Sequence, residues 1–159
     1  MKNILFLCTG NSCRSIIAEA LFKSMAPAGM TAQSAGSKPA GYVHPRALAA
    51  LQEAGISTDG LHSKSWDNLP LPPDIIITLC ADAAGETCPA YLGKRAARTH
   101  WGMPDPAKVQ GDKETIEAAF ADTLAVLHRR ISALVRLLDK NPIMRPEHLQ
   151  KELDALATL

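Results

Sequence analysis

Apolar positions change their period several times along the chain, and each change marks an element. Residues 3–7 form a short apolar run, long enough for a buried strand and too short for a helix. From 15 to 25 the apolar residues Ile16, Ile17, Ala20, Leu21 and Met25 recur at helical spacing. A Pro27-Ala28-Gly29 turn leads to a second strand over 30–34. His44-Pro45 opens a helix, with proline at a tolerated early position, that passes Leu48 and Leu51 and stops at Gly55. Residues 56–73 read as irregular, with a short helix over 63–69. Residues 74–79 (DIIITL) are the clearest strand, and their unbroken apolar run predicts burial on both faces, as in a parallel sheet. A short last strand is expected over 98–102. A long helix over 112–138, N-capped by Asp112, carries the stripe Ile116, Phe120, Leu124, Leu127, Ile131, Leu134 and Leu138. This alternation predicts an α/β fold: one domain over 1–140, an open parallel sheet of about four strands with helices on both faces. Residues 141–159 read as a tail, in which Leu149, Leu153 and Leu156 allow a short amphipathic helix.

Bulk properties narrow the function classes. A chain of 159 residues can bury a real core. A formal net charge of +1 gives no general attraction to nucleic acid or acidic membranes. No apolar run approaches the length of a membrane span. Met1-Lys2 runs directly into the first strand, which predicts no signal peptide and a cytoplasmic protein. Four cysteines in a reducing compartment point to catalysis or metal binding rather than static disulfides.

The chemistry concentrates between the first strand and the first helix, in Cys8-Thr9-Gly10-Asn11-Ser12-Cys13-Arg14 followed by Ser15. A helix N-terminus offers unpaired N–H groups and a positive dipole end. A curled loop adds further amides. Gly10 permits the positive φ such a curl often uses, and Asn11 tolerates it. Arg14 can grip two oxygens at once. The ligand this suits is a tetrahedral oxyanion, held by the loop from Thr9 through Ser15. The same positive surroundings favour Cys8 as the thiolate, poised to attack the bound ligand. The loop is not a nucleotide P-loop, because it lacks the lysine of that motif.

The stretch LFLCTGNSCRS resembles the active-site loop of the low-molecular-weight tyrosine phosphatase superfamily, which includes true phosphatases and phosphatase-like arsenate reductases. Two further cysteines separate these branches. Cys80 ends the 74–79 strand as Cys8 ends the first, so topology brings both to the ligand-binding rim of an open parallel sheet. Cys88 follows in a segment of small residues. TLCADAAGETCP resembles the redox segment of the thioredoxin-coupled arsenate reductases, and HWGMPDPA their following stretch. That resemblance implies reduction of arsenate to arsenite. Cys8 is the nucleophile, Cys80 and Cys88 are the redox thiols, and Cys8–Cys80 and Cys80–Cys88 disulfides are transient intermediates. It also implies Asp105 as general acid, Ser15 as support for the Cys8 thiolate, and Asn11 as the residue fixing the loop's shape. Cys13 is left outside the relay. Thioredoxin is the expected electron donor, with glutaredoxin and glutathione as alternatives because the Cys80–Cys88 spacing is slightly long. A monomer without bound cofactor is expected.

True phosphatases of the superfamily carry Asp-Pro-Tyr, whereas Ala107 follows Asp105-Pro106 here. Some members bind potassium through Asn, Glu, Ser and Asp. Asn11, Glu19 and Ser34 match, but Lys64 stands at the aspartate's place, so no metal is expected. A phosphatase would hydrolyse phosphate monoesters through a Cys8 phosphoenzyme without needing Cys80 or Cys88. A structural zinc site fits the C-x4-C and C-x7-C spacings poorly. A binding-only oxyanion sensor has no use for Cys88. His44 is read as a helix start rather than a pocket residue.

Overall fold

The computed structural model describes residues 2–79 and 96–159, so the readings placed on Cys80 and Cys88 lie outside the described residues. Four strands form one parallel sheet: β1 (Lys2–Cys8), β2 (Met30–Gly36), β3 (Ile75–Thr78) and β4 (Ala97–His100), in the order β2-β1-β3-β4. Because the order reverses around β1, the loop after β1 opens into a crevice at the carboxyl edge, where such sheets bind ligands. β1 and β2 are longer at this edge than local polarity suggests, whereas β3 stops at Thr78, short of the 74–79 expected. β1 pairs with β2 through Cys8 opposite Gly36, so ladder hydrogen bonding carries both strands past their apolar stretches. At the far end β4 is displaced from the expected 98–102 to Ala97–His100, and Trp101 turns into the core.

The helices are α1 (Arg14–Met25), α2 (Pro45–Glu53), α3 (Lys113–Lys140) and α4 (Pro146–Leu156). α1 is buried nearly all round over its first half because it lies between the sheet and α3. Ile4, Phe6 and Cys8 point into this layer, as do Ile75 and Ile77, and they meet Ile17, Leu21, Phe120, Leu127, Ile131 and Leu134. On the opposite face Leu5, Leu7, Ala35 and Ile76 pack beneath Trp66 and Leu69. Strand residues therefore reach apolar cover on both sides, which explains why β1 and β3 read as unbroken runs. The helix expected over 63–69 is a single 3-10 turn, Trp66–Asn68, opened by Ser65.

α3 starts as its sequence predicts: Asp112 Oδ1 accepts the Thr115 amide at 2.8 Å. Of its stripe, Phe120, Leu127, Ile131, Leu134 and Leu138 are buried, while Ile116 and Leu124 are half-buried at its margin. α4 docks against β4 and α3, burying Leu149 and Leu153. Trp101 Nε1 donates to Leu153 O at 3.1 Å, and the Gln150 side-chain amide both accepts from Arg98 N and donates to Arg98 O. No described helix is long and apolar enough to cross a membrane.

Candidate active site

Residues 8–14 leave the end of β1 and curl into the first turn of α1. The positive φ of this curl falls on Asn11 (47°) and not on Gly10, so asparagine's tolerance of that region is what the loop uses. Asn11 is fully buried and bonded from both ends of its amide. Its Oδ1 accepts from Lys64 N at 2.9 Å, and its Nδ2 donates to Ser15 Oγ at 2.7 Å. These two partners fix which way the amide points. Ser15 Oγ accepts from Asn11 and lies 2.8 Å from Cys8 Sγ, where either group can donate. With Cys8 as the thiolate Ser15 is the donor, and the bonds then run from Lys64 to Asn11 to Ser15 to Cys8, ending on the sulfur. A charged acceptor strengthens such a bond, so the relay favours the Cys8 thiolate.

The outer side of the loop is sewn to the segment that follows β2. Lys38 N donates to Thr9 O at 2.9 Å, Ala40 N to Gly10 O at 2.8 Å and His44 N to Ser12 O at 3.0 Å. These bonds turn the three carbonyls toward that segment. A trans peptide carries its N–H on the side opposite its carbonyl, so the amides of Gly10, Asn11 and Cys13 are turned away from it. His44 itself begins α2: its Nδ1 accepts the Arg46 amide at 3.1 Å, and its ring lies 5.0 Å from that of Phe120. Burial and nearby Arg46 hold its pKa below the ordinary value, in keeping with a neutral ring acting as a cap.

Arg14 crosses the pocket to the loop after β4. Its Nη1 donates to Met103 O at 3.1 Å, and its Nη2 lies 3.4 Å from Asp105 Oδ2. Its Nε is buried without a hydrogen-bond partner among the described residues. A buried orphan donor is costly, and this one belongs to the guanidinium best suited to an oxyanion. Asp105 Oδ1 accepts the Ala107 amide at 3.0 Å and thereby caps the 3-10 turn Pro106–Lys108. Cys8, the loop, Arg14 and Asp105 line one pocket of about 220 Å³, together with Lys108.

Cys13 shares the loop and is buried. Burial pushes its thiol up to about 12, so it stays protonated. Glu19, one turn into α1, is buried and accepts from Ser34 Oγ at 2.7 Å. Lys23 lies 2.8 Å and Lys64 3.6 Å from its carboxylate. The Lys64 ammonium thus stands among the residues that matched a cation site. Among the described residues no cluster of three His, Cys, Asp or Glu could hold a metal.

Two contributors were not visible in the sequence reading. A Cβ on Gly36 would sit 2.4 Å from Thr9 O and 2.9 Å from Cys8 O, so only glycine lets β2 lie this close to the loop. The available signal was a glycine at the end of the strand beside the one that Cys8 ends. Lys108 is the other; its place three residues after Asp105 was the available signal.

The family model for low molecular weight phosphotyrosine protein phosphatase matches residues 3–145. An arsenate reductase from Halalkalibacterium halodurans is 40% identical over 131 residues, covering 82% of this chain and 92% of that protein. A solved arsenate reductase in its phosphate-binding state superposes with a TM-score of 0.69 at 25% identity, covering 86% of this chain and 98% of the other. The thioredoxin-dependent arsenate reductase of Corynebacterium glutamicum aligns with a TM-score of 0.57 at 26% identity, over 83% of this chain and 62% of its own.

Proposed function

Because this chain belongs to the low molecular weight phosphotyrosine protein phosphatase family, among its arsenate reductases, we propose that it reduces arsenate to arsenite through three cysteines in series. One observation carries the reading beyond oxyanion binding. Leu79 N donates to Leu7 O at 2.8 Å, so the residue before Cys80 is bonded to the residue before Cys8. A second thiol therefore follows in sequence from the strand directly beside the nucleophile's. A phosphatase has no use for it.

The loop amides and Arg14 bind the arsenate oxygens, and the Cys8 thiolate attacks arsenic. One oxygen leaves as water, taking a proton from Asp105, and a sulfur–arsenic(V) bond forms. The Cys80 thiolate then attacks Cys8 Sγ. A Cys8–Cys80 bond forms, the sulfur–arsenic bond breaks, and arsenic keeps the electron pair. The two sulfurs have lost two electrons, and arsenic leaves as arsenite. Cys88 attacks Cys80, giving Cys80–Cys88 and freeing Cys8. A dithiol donor of the thioredoxin class returns the two electrons, and glutaredoxin with glutathione is the alternative donor. A reducing, cytoplasmic setting suits this cycle. No metal takes part: the Lys64 ammonium beside Glu19 supplies the local positive charge. Potassium in place of sodium should change neither thermal midpoint nor turnover.

The test is arsenate-dependent NADPH oxidation with thioredoxin and thioredoxin reductase, in wild type, Cys80→Ser and Cys88→Ser. Turnover in wild type that both variants abolish is expected. Fast hydrolysis of an aryl phosphate, with no arsenite formed by wild type from any thiol donor, would overturn the reading in favour of a phosphatase.

A further inference from the structure

The 3-10 turn Pro106–Lys108 is a small rigid body. Proline fixes its first φ, Asp105 caps it, and Lys108 N donates to Asp105 O at 3.2 Å. In this geometry positions three apart lie on the same side. Asp105 and Lys108 therefore project together, and both line the pocket above Cys8. Their charges differ in use. Arg14 is engaged by Asp105 and Met103. Lys108 forms no ion pair among the described residues.

The geometry points to Lys108 as the residue that selects an unsubstituted oxyanion over an ester, an inference that rests on the oxyanion site proposed above. Three oxygens of a tetrahedral ligand face the loop amides and Arg14. The fourth, opposite the attacking sulfur, faces outward toward Asp105 and Lys108. In a bare oxyanion this oxygen shares the negative charge. In a monoester it carries an organic group and little charge. A rim ammonium thus adds attraction for the first ligand and little for the second. It also offsets the thiolate, which would otherwise repel a doubly charged ligand.

The experiment measures protection of Cys8 from iodoacetamide in the full chain, each variant referred to its own rate without ligand. The probes are inorganic phosphate, arsenate and phenylphosphonate, whose phenyl group occupies the outward position and cannot be hydrolysed. Lys108 is exposed, so Lys108→Ala should raise the half-protecting concentration of phosphate and arsenate roughly threefold to fivefold, the upper range of one charge contact at an exposed site. Phenylphosphonate should move less than about twofold by the same reasoning. Lys108→Arg should restore the wild-type pattern. Equal weakening of all three probes, or no change in any, would overturn the assignment. Thiols do not reduce phosphate or phenylphosphonate, so the comparison of these two probes stands apart from whether arsenate is turned over. If no oxyanion protects wild-type Cys8, the site itself fails rather than the role of Lys108.

Discussion

Gly36→Ala tests whether the loop's shape is set by the strand beside it. The added methyl would lie 2.4 Å from Thr9 O, while real contacts of this kind stay above 3.0 Å, so the carbonyl and the strand must part by at least about 0.6 Å. Neither side yields freely. Thr9 O is bonded to Lys38 N, and Gly36 N is bonded to Lys64 O at 3.0 Å. Forcing a methyl into such a seam costs roughly 1–3 kcal/mol. At about 2–4 °C per kcal/mol for a chain of this length, the thermal midpoint should fall by about 2–12 °C. The same displacement turns the peptide that carries the Gly10 amide. A shift near 1 Å can cost about a hundredfold in rate, so kcat/KM for arsenate should drop at least about tenfold. Urea denaturation gives the stability, and coupled NADPH oxidation gives the rate. A variant within about 0.5 kcal/mol of wild type, and with kcat/KM within threefold, would refute the claim that close approach at Gly36 shapes the loop.

Cys13→Ala should retain arsenate turnover within a few-fold, because a thiol raised to about 12 contributes no thiolate near neutrality. In native wild type, mass spectrometry after brief iodoacetamide treatment should find Cys8 carbamidomethylated and Cys13 unmodified; rapid modification of Cys13 would contradict its burial. His44 has a folded pKa below its unfolded value, so its contribution to stability is present above about 6.5 and lost as pH falls through the lower folded value. Urea midpoints should decline from pH 7.5 to 5.5 in wild type and decline less in His44→Asn, which keeps a capping side chain; an unchanged slope in the variant would contradict this account.

The parts of this protein legible in its sequence are those fixed by local pattern. β1, β3 and α3 announced themselves because apolar periodicity survives burial, and Asp112 because a cap is a short-range bond. The loop was legible because cysteine, asparagine and arginine at fixed offsets are uncommon in combination. What stayed hidden depends on contacts between segments distant in sequence. The extra residues at the ends of β1 and β2 come from pairing Cys8 with Gly36. The donor relay onto Cys8 begins at Lys64, a backbone amide that no sequence pattern marks. The positive φ belongs to Asn11, although glycine is the usual first choice, because Lys64 and Ser15 bond both ends of its side chain. Lys108 shows its bearing only once the turn after Asp105 is seen to carry both side chains to one side.

The amide of Gln150 answers Arg98 as the peptide group of a fifth strand would, donating and accepting at once. An open β edge is a template on which another chain can grow. Here one side chain on a helix occupies that template, and Thr99 Oγ1 fastens the next position to Asp154 at 2.7 Å. A helix cannot propagate a sheet, so the border of β4 is finished rather than merely covered. In the disulfide cycle proposed above this is an advantage, because a neighbouring copy that cannot add to the sheet has less chance to be trapped by a stray sulfur bond.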